Sequence, residues 1–348
     1  MVTRENGGEI LLTTQMMGTV IAGGYGRSFA FGGRAGKYAG SIFTFDPATG
    51  NGGEIFGGLP HLGLFQLCAG GNGTVAALYH KQTVDAAGGA RLVLIHLLQP
   101  KQTEVIALPD YFSSVAGVSI SANGKYWMDV SGHDMAWGTT YNAPGGRNRG
   151  ASARPTYALG VIPAGHIQVS QWTGPKAVAV GGLYRGHAAV FFFTLPMSTS
   201  RRSDRLGHKL MPSAPPAMLD QNDWVTAMAT DPSSDTVIVG TENGYLWRVT
   251  AGEKPTLLKA TPGSSIQSIA FDGNLNRYAE ISQSGTLRIW KPGTRHAVLL
   301  LNNLQVRGHG VAWCAKGRLV IASSMPGLYI LNGSSKTFRS AIKIQTGR

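Results

Sequence analysis

The sequence predicts an all-β protein folded as a single β-propeller, and three observations lead to that prediction. Short runs alternate apolar and polar residues and are separated by clusters of Gly, Asn, Asp and Pro, the usual marks of strands joined by tight turns. The chain is rich in Gly, with 48 in 348 residues, and charged residues make up only 14%. A strand anchored on a small or apolar residue recurs from end to end at intervals of about 40 to 60 residues, close to the period of propeller blades.

The clearest repeat covers residues 264–301 and contains four strand-like runs. These runs are 266–271, 277–282, 286–290 and 297–301. The segments between them contain Asp-Gly-Asn, Gln-Ser-Gly and Lys-Pro-Gly, each of which favours a reversal of the chain. Four short antiparallel strands in about 40 residues make up one propeller blade.

Part of this repeat resembles a known family. The run 284–291, with the sequence SGTLRIWK, resembles the end of a WD40 repeat, with Lys291 where the family has Asp. Gly308 and His309 are similar to the family's Gly-His signature. The resemblance is best over residues 224–331, and it implies the propeller fold and a role in protein–protein scaffolding, without implying any chemistry.

The same pattern can be followed along the whole chain. The first strands are anchored at Ile21, Leu67, Val118, Val169, Met228, Ile269 and Val311. The matching third strands are 41–45, 92–98, 156–161, 188–195, 245–249, 286–290 and 327–331. Together they predict one domain, 1–348, with seven four-stranded blades at 16–60, 65–110, 114–163, 166–220, 224–260, 264–301 and 306–344. Six or eight blades stay open as alternatives if one repeat has been split or merged.

Closure of the ring usually requires the two chain ends to share a blade. Residues 9–13 form a strand-like run before blade one, and residues 338–344 form another after the last third strand. Either the amino-terminal run completes blade seven, or the carboxy-terminal run completes it and the other adds an edge. We favour a seventh blade shared by the two ends.

Two net-basic segments interrupt the repeat and are predicted to be long loops. The first, 131–154, is placed between the second and third strands of blade three, and the second, 197–221, late in blade four. Loops between strands two and three share a face with the links between blades, so the first is expected on that face. The second segment lies on the same face only if residues 208–211 form the fourth strand of blade four. If residues 217–219 form that strand, the second segment lies on the opposite face.

These loops supply the candidate binding site, because long loops on a rigid scaffold often carry function and arginines attract acidic partners. Aromatic rings beside arginines can stack on bases, sugars or side chains of a partner. The candidate partner-binding residues are Trp137, Tyr141, Arg147, Arg149, Arg154, Arg201, Arg202, Arg205 and Lys209. Arg27, Arg34 and Lys37 of blade one are further basic candidates.

Motifs for chemistry are absent from the sequence. The nine histidines show no metal-binding spacing, so no metal and no cofactor are predicted. The Gly-rich runs 23–26 and 32–36 have strands on both sides, so they are predicted to be hairpin turns and not phosphate loops. Cys68 and Cys314, far apart in apolar runs, are expected to be buried free thiols.

An enzyme or small-ligand binder that uses the mouth of the propeller channel is the alternative class. It would use Asp129, His133 and Asp134, the one local cluster of titratable residues. The competing interpretation is that His133 and Asp134 form a hydrogen-bonding element of a loop.

The net charge of +13 fits attraction to nucleic acid, anionic lipid or an acidic partner, and it also fits a generally basic surface. The amino end lacks a signal-peptide pattern and no apolar run is long enough to span a membrane, so a cytoplasmic or virion location is expected. We predict a non-enzymatic structural or protein-interaction subunit of a larger assembly. Low charge with high Gly and Ala makes a virion component, such as a bacteriophage tail protein, one specific form. An intracellular WD40-like scaffold and a nucleic-acid-binding module are two further candidate functions.

Overall fold

A computed structural model of the chain consists of thirty β-strands among the residues it describes, arranged in seven sheets. It describes residues 2–5, 9–12, 16–25, 28–36, 38–70, 72–81, 89–97, 103–108, 117–140, 157–162, 166–196, 208–230, 235–259, 263–272, 276–292, 294, 296–301, 308–314, 317–323 and 328–331.

The first two strands belong to the last blade, and the next eight form blades one and two. The opening strands are β1 (Val2–Glu5) and β2 (Glu9–Leu12). Blade one comprises β3 (Met16–Tyr25), β4 (Ser28–Gly36), β5 (Ile42–Phe45) and β6 (Gly52–Phe56). Blade two comprises β7 (Leu62–Ala69), β8 (Thr74–Lys81), β9 (Arg91–His96) and β10 (Glu104–Ala107).

Blades three and four are joined by an additional strand. Blade three comprises β11 (Gly117–Ile120), β12 (Tyr126–Ser131), β13 (Asp134–Thr139) and β14 (Tyr157–Val161). Blade four comprises β15 (His166–Trp172), β16 (Ala177–Tyr184), β17 (His187–Thr194) and β19 (Ala217–Gln221). Between β17 and β19 in sequence, β18 (His208–Lys209) pairs in parallel with β14 and becomes the fifth strand of blade three.

Blades five and six have the simple four-stranded form. Blade five comprises β20 (Val225–Thr230), β21 (Thr236–Thr241), β22 (Leu246–Thr250) and β23 (Thr256–Lys259). Blade six comprises β24 (Ile266–Asp272), β25 (Arg277–Ser282), β26 (Leu287–Trp290) and β27 (Leu299–Leu301).

Blade seven is built from both ends of the chain. Its inner three strands are β28 (Gly308–Cys314), β29 (Arg318–Ser323) and β30 (Leu328–Leu331). Strand β2 pairs antiparallel with β30, and β1 adds an outer edge to β2. The amino-terminal run therefore completes blade seven, as the first of the two closure models requires; the candidate run 338–344 lies outside the described residues. The predicted seven-bladed propeller is confirmed.

The hydrophobic core is divided among the junctions between blades. Seven clusters of buried apolar side chains lie in the described residues, and each combines residues of two neighbouring blades. Alternate residues of a strand face opposite sides of the sheet, so one strand serves two junctions. In β21, Val237 and Val239 pack toward blade four, whereas Ile238 packs toward blade six. Because every junction is filled, the ring is closed by packing as well as by strand pairing.

The seven predicted anchors all lie in the innermost strands, around a central channel of about 290 Å³. Polar side chains join neighbouring inner strands across this channel wall. Gln66 accepts from the Val118 backbone N–H at 3.0 Å, and Ser268 accepts from that of Val311 at 3.2 Å. Thr226 donates to the Ile266 carbonyl at 2.7 Å. These hydrogen bonds pair partly buried polar groups and link the inner strands of neighbouring blades.

Each blade presents its turns on one of two faces of the ring. We call the face with the turns between strands two and three, and with the links between blades, the upper face. The opposite face, with the turns between strands one and two and between strands three and four, is the lower face.

Candidate interaction surface

The first long segment leaves blade three at a different place from the one predicted. Residues 134–139 form the third strand, β13, and β14 is the fourth, so the segment 141–156 lies between strands three and four. The expectation that it separates the second and third strands, on the upper face, is wrong. β13 was missed because its interior is buried on both faces, from Met135 to Gly138, and shows no alternation of apolar and polar residues.

Trp137 lies in β13 and not in a loop. Its side chain is 1% exposed and packs in the core between blades three and four. The indole Nε1 donates to the Pro196 carbonyl at 3.2 Å. The predicted role of Trp137 as an exposed stacking residue is therefore corrected: the ring is a core residue that holds the two blades together.

The second long segment also leaves from the lower face. Ala217–Gln221 is the fourth strand of blade four, so the segment begins after the third strand, at Pro196. The alternative in which 208–211 is that fourth strand is wrong, because His208 and Lys209 pair instead with Gly160 and Val161 of blade three. Both insertions therefore interrupt their blades between strands three and four, and both begin at the lower face.

The two segments begin and end side by side. Where the segments start, the Pro196 carbonyl accepts from the indole of Trp137. Trp137 lies three positions before Thr140, the last described residue ahead of the first segment. At their ends, Gly160 pairs with His208, and the Leu210 backbone N–H donates to the Val161 carbonyl at 3.2 Å. The described residues that flank the two segments therefore contact one another, although they are 48 to 59 residues apart in the chain.

Leu210 secures this arrangement. Its side chain is 6% exposed and belongs to the core cluster between blades three and four. A Cβ atom on Gly160 would lie 2.5 Å from Leu210 Cδ1, so the leucine packs where only glycine leaves room. The next residue, Met211, is 69% exposed. The segment around β18 is therefore a strap from blade four that is anchored on blade three by one buried side chain.

Most of the predicted binding residues fall outside the described residues. These are Tyr141, Arg147, Arg149, Arg154, Arg201, Arg202 and Arg205, together with Arg27 and Lys37 of blade one. Lys209 lies in β18. Arg34 is described: it donates to the Phe65 carbonyl at 2.7 Å and lies 4.9 Å from the centre of the Phe65 ring. Arg34 therefore links blade one to blade two.

The described surface beside the two segments is basic. Lys125 and Lys176 are exposed on the lower-face turns of blades three and four. The Lys125 carbonyl accepts from the Thr140 backbone N–H, and the Lys176 carbonyl accepts from that of Leu195, both at 2.8 Å. Both lysines therefore stand next to the points where the segments leave their blades. Within the described parts of blades three and four, no acidic residue lies on these lower-face turns.

Few of the described residues that line the channel carry titratable side chains. The described residues that line the channel are apolar or uncharged polar, apart from the Cys68 thiol, whose pKa is raised by burial. Asp129 does not line it; its carboxyl is completely buried in blade three, and burial raises its pKa. In the described residues no group of three His, Cys, Asp or Glu side chains could hold a metal ion.

His133 and Asp134 lie at the upper-face turn of blade three. The His133 carbonyl accepts from the Ile162 backbone N–H at 2.9 Å, which ties this turn to the end of β14. The pKa of Asp134 is raised by partial burial, and the neighbouring His133 opposes that shift. The two residues are adjacent to each other, but Asp129 faces the junction with blade two and does not join them in one site.

The comparisons with known proteins give the fold. No protein-family model and no curated protein matches the sequence. The chain is similar to a chain in a crystal structure of the mitotic checkpoint complex, with a TM-score of 0.62, 11% identity, and 92% of this chain and 90% of that chain covered. It is also similar to the streptogramin B lyase structure, with a TM-score of 0.61, 14% identity, and coverages of 92% and 96%.

Fold and comparisons agree on the structural class: the chain is a seven-bladed β-propeller. Identities this low establish the fold alone, and one neighbour belongs to a multi-subunit complex while the other is a lyase. Over the described residues there is no helix with the length and apolarity needed to cross a membrane.

Proposed function

We propose that this propeller is a non-enzymatic interaction subunit of a larger assembly and that it binds an acidic partner through the lower face of blades three and four. The observation that supports the proposal most directly is the pairing of the two insertions, whose starts meet at Trp137 and Pro196 and whose ends meet at Gly160 and His208. A rigid ring thereby presents two long segments from one place.

Electrostatics determine the kind of partner. The segments 141–156 and 197–207 contain six arginines and one aspartate, so they carry a net charge of +5 out of the +13 of the whole chain. Lys125 and Lys176 add exposed positive charge at their bases. Guanidinium groups bind carboxylates and phosphates with paired hydrogen bonds, so a partner with clustered acidic groups fits this surface best.

The identity of the assembly is a finer proposal that rests on composition. A low fraction of charged residues and a high content of Gly, Ala, Ser and Thr suit a virion component, and a bacteriophage tail protein is the specific form that we propose. The mitotic checkpoint neighbour is itself part of a multi-subunit complex, which accords with an assembly role for the same fold.

The experiment is native mass spectrometry of the protein isolated from its source, followed by charge reversal. A stoichiometric complex with another chain is expected. The double variants Arg147→Glu/Arg149→Glu and Arg201→Glu/Arg202→Glu should each weaken that complex at least about tenfold, since each reverses two charges at the contact. The matched control is Lys254→Glu/Lys291→Glu, which reverses two exposed lysines on the lower-face turns of blades five and six.

Three results would count against the proposal. They are a lone monomer from the source, a complex that all three double variants weaken equally, and a small molecule bound in the channel with catalytic turnover. Nucleic acid in place of a protein partner would be recognised by affinity that falls steeply with salt, and it would replace the proposed partner class.

A further inference from the structure

A second cluster of charged residues lies away from this surface, in the groove between blades five and six. Arg248 of β22 and Lys259 of β23 come from blade five, and Glu280 of β25 and Arg288 of β26 come from blade six. Tyr278 and Trp290 pack in the apolar cluster of this junction. Glu280 and Arg288 each lie two residues from one of these rings along their strands, so they face the same junction.

The basic side chains of the groove differ in the partners that they contact. Arg288 Nη1 forms an ion pair with Glu280 Oε1 at 2.8 Å, and the Glu280 side chain is only 1% exposed. Lys259 Nζ donates to the Gly244 carbonyl at 2.8 Å. Burial raises the pKa of Glu280, and Lys259 and Arg288 oppose the shift. Lys259 and Arg288 thus flank the Glu280 carboxyl, and Arg248 lies near the Tyr278 hydroxyl of the same groove, so the groove has a formal excess of two positive charges when Glu280 is ionised.

Four groups in the groove lack a hydrogen-bond or ion-pair partner among the described residues: Tyr278 Oη, Trp290 Nε1, Glu280 Oε2 and the Arg248 guanidinium. The Tyr278 hydroxyl is buried and has no hydrogen-bond partner in the described part of the chain, although it can donate one. Arg248 is exposed, influences the Tyr278 hydroxyl electrostatically, and has no ion pair with a described residue. The Trp290 indole N–H is near enough to Glu280 to favour its charged form but is not aligned for a hydrogen bond.

We infer that this groove is a binding site for a phosphate-class dianion. A dianion balances the excess charge, and its several oxygens can accept from the free guanidinium of Arg248, from Tyr278 Oη and from the remaining N–H groups of Lys259 and Arg288. Burial of an unpaired donor is costly, and an accepting oxygen at Tyr278 removes that cost. A carboxylate monoanion would leave one charge unbalanced and would offer fewer oxygens.

The test is isothermal titration calorimetry of the full chain with inorganic phosphate, with acetate and with phosphoserine, at constant ionic strength in a chloride buffer. Saturable binding of one phosphate is expected, with acetate binding at least about tenfold more weakly because it carries one charge fewer. Tighter binding of phosphoserine than of phosphate would identify a phosphomonoester as the source of the dianion, and tighter binding of phosphate would identify the free anion.

Variants separate this groove from the general basic surface. Arg248→Met removes an exposed side chain, and Tyr278→Phe removes only the hydroxyl; each should weaken phosphate binding, Arg248→Met by about tenfold or more. Glu280→Gln removes the competing carboxyl and should tighten it. Lys254→Met, which removes an exposed charge from the neighbouring turn, is the matched control and should leave it unchanged.

The inference is overturned if phosphate shows no saturable binding to the wild-type chain. Equal losses in Arg248→Met and Lys254→Met would also overturn it, because they would indicate diffuse attraction to a basic protein. The inference is also overturned if crystals of the protein grown in phosphate show only water, and no phosphate, between Tyr278 Oη and Glu280 Oε2.

Discussion

Asp129 is the residue whose position is hardest to reconcile with its chemistry. Its carboxyl is completely buried in β12, and neither oxygen has a hydrogen-bond partner among the described residues. It lies two residues from Trp127, which packs in the cluster between blades two and three, so it faces that apolar junction. Burial disfavours the charged form, which raises the pKa of Asp129 and, through the proximity of that carboxyl, adds to the raised pKa of Cys68.

This position predicts a pH-dependent effect of Asp129→Asn. The pKa of Asp129 is higher in the folded than in the unfolded chain, so at pH values between these two pKa values the folded state binds more protons. The contribution of Asp129 to stability therefore falls as pH rises through that range. The free energy of unfolding of Asp129→Asn, relative to wild type, should therefore increase with pH from about 4, the pKa of an unperturbed aspartate, and be constant below about 3.

Urea unfolding of both proteins at a series of pH values measures this difference. Asp235→Asn, at an exposed position, is the control and should show no such trend. A difference between Asp129→Asn and wild type that does not change with pH would contradict a raised pKa of Asp129 in the folded chain.

At the scale of the elements, the strap around β18 is the feature that distinguishes this propeller from a simple array of blades. It leaves blade four, pairs with β14 of blade three, and returns to blade four, where the Ser213 backbone N–H donates to the Phe192 carbonyl at 2.7 Å. Leu210 is its buried anchor, and it packs against Gly160 and Trp137. The strap therefore holds together the two blades that carry the basic segments.

Leu210→Ala tests the strap. Truncation of a buried leucine leaves a cavity, so we expect a loss of about 2–5 kcal/mol in the free energy of unfolding. The control lies next to it: Met211 is 69% exposed, and Met211→Ala should change stability by no more than about 0.5 kcal/mol. Chemical denaturation of the two variants measures both values. Equal losses, or no loss in Leu210→Ala, would show that the strap is not anchored on blade three as described.

The elements also show which features a sequence can reveal. Strands with one wetter face were predictable because alternation is a local signal, as in Leu287–Trp290, where Leu287 and Ile289 are buried and Arg288 between them is only partly buried. Asp134–Thr139 was not, because both of its faces are buried and its flanking residues resemble turns. The pairing of His208 with Gly160 joins residues that are distant in sequence, and no local pattern encodes it.

The same limit applies to the candidate sites. The basic character of the two insertions was evident from composition, but their shared origin on the lower face depends on a contact between Trp137 and Pro196, 59 residues apart. The groove between blades five and six was not predicted at all. Arg248, Lys259 and Arg288 are isolated charges in the sequence, and only the packing of two blades brings Lys259 and Arg288 to Glu280 and Arg248 to Tyr278.

For the whole molecule, the ring depends on blade seven, where the chain closes on itself. The junction between blades seven and one is filled by a cluster that includes Phe29, Phe31, Leu328 and Ile330. β2 covers the outer edge of β30, with Ile10, Leu11 and Leu12 opposite Ile330, Tyr329 and Leu328. A propeller with an uncovered edge in one blade would expose strand hydrogen-bonding groups that the closed ring satisfies.

Removal of residues 1–12 should therefore destabilise the entire ring and not only its amino-terminal end. Three paired positions on β30 lose their partners, and at about 1 kcal/mol for each hydrogen bond we expect a loss of at least about 3 kcal/mol in the free energy of unfolding.

Removal of residues 1–5 alone is the control. It deletes β1, which pairs with β2, but leaves the contact between β2 and β30 intact, so it should cost less than half as much. Urea unfolding followed by tryptophan fluorescence measures both losses, because the seven tryptophans are spread over five blades. If the two truncations cost the same, the closure lies elsewhere. If the longer one lowers stability as predicted while unfolding remains a single transition, the loss of the amino-terminal strand is felt by all seven blades as one cooperative unit.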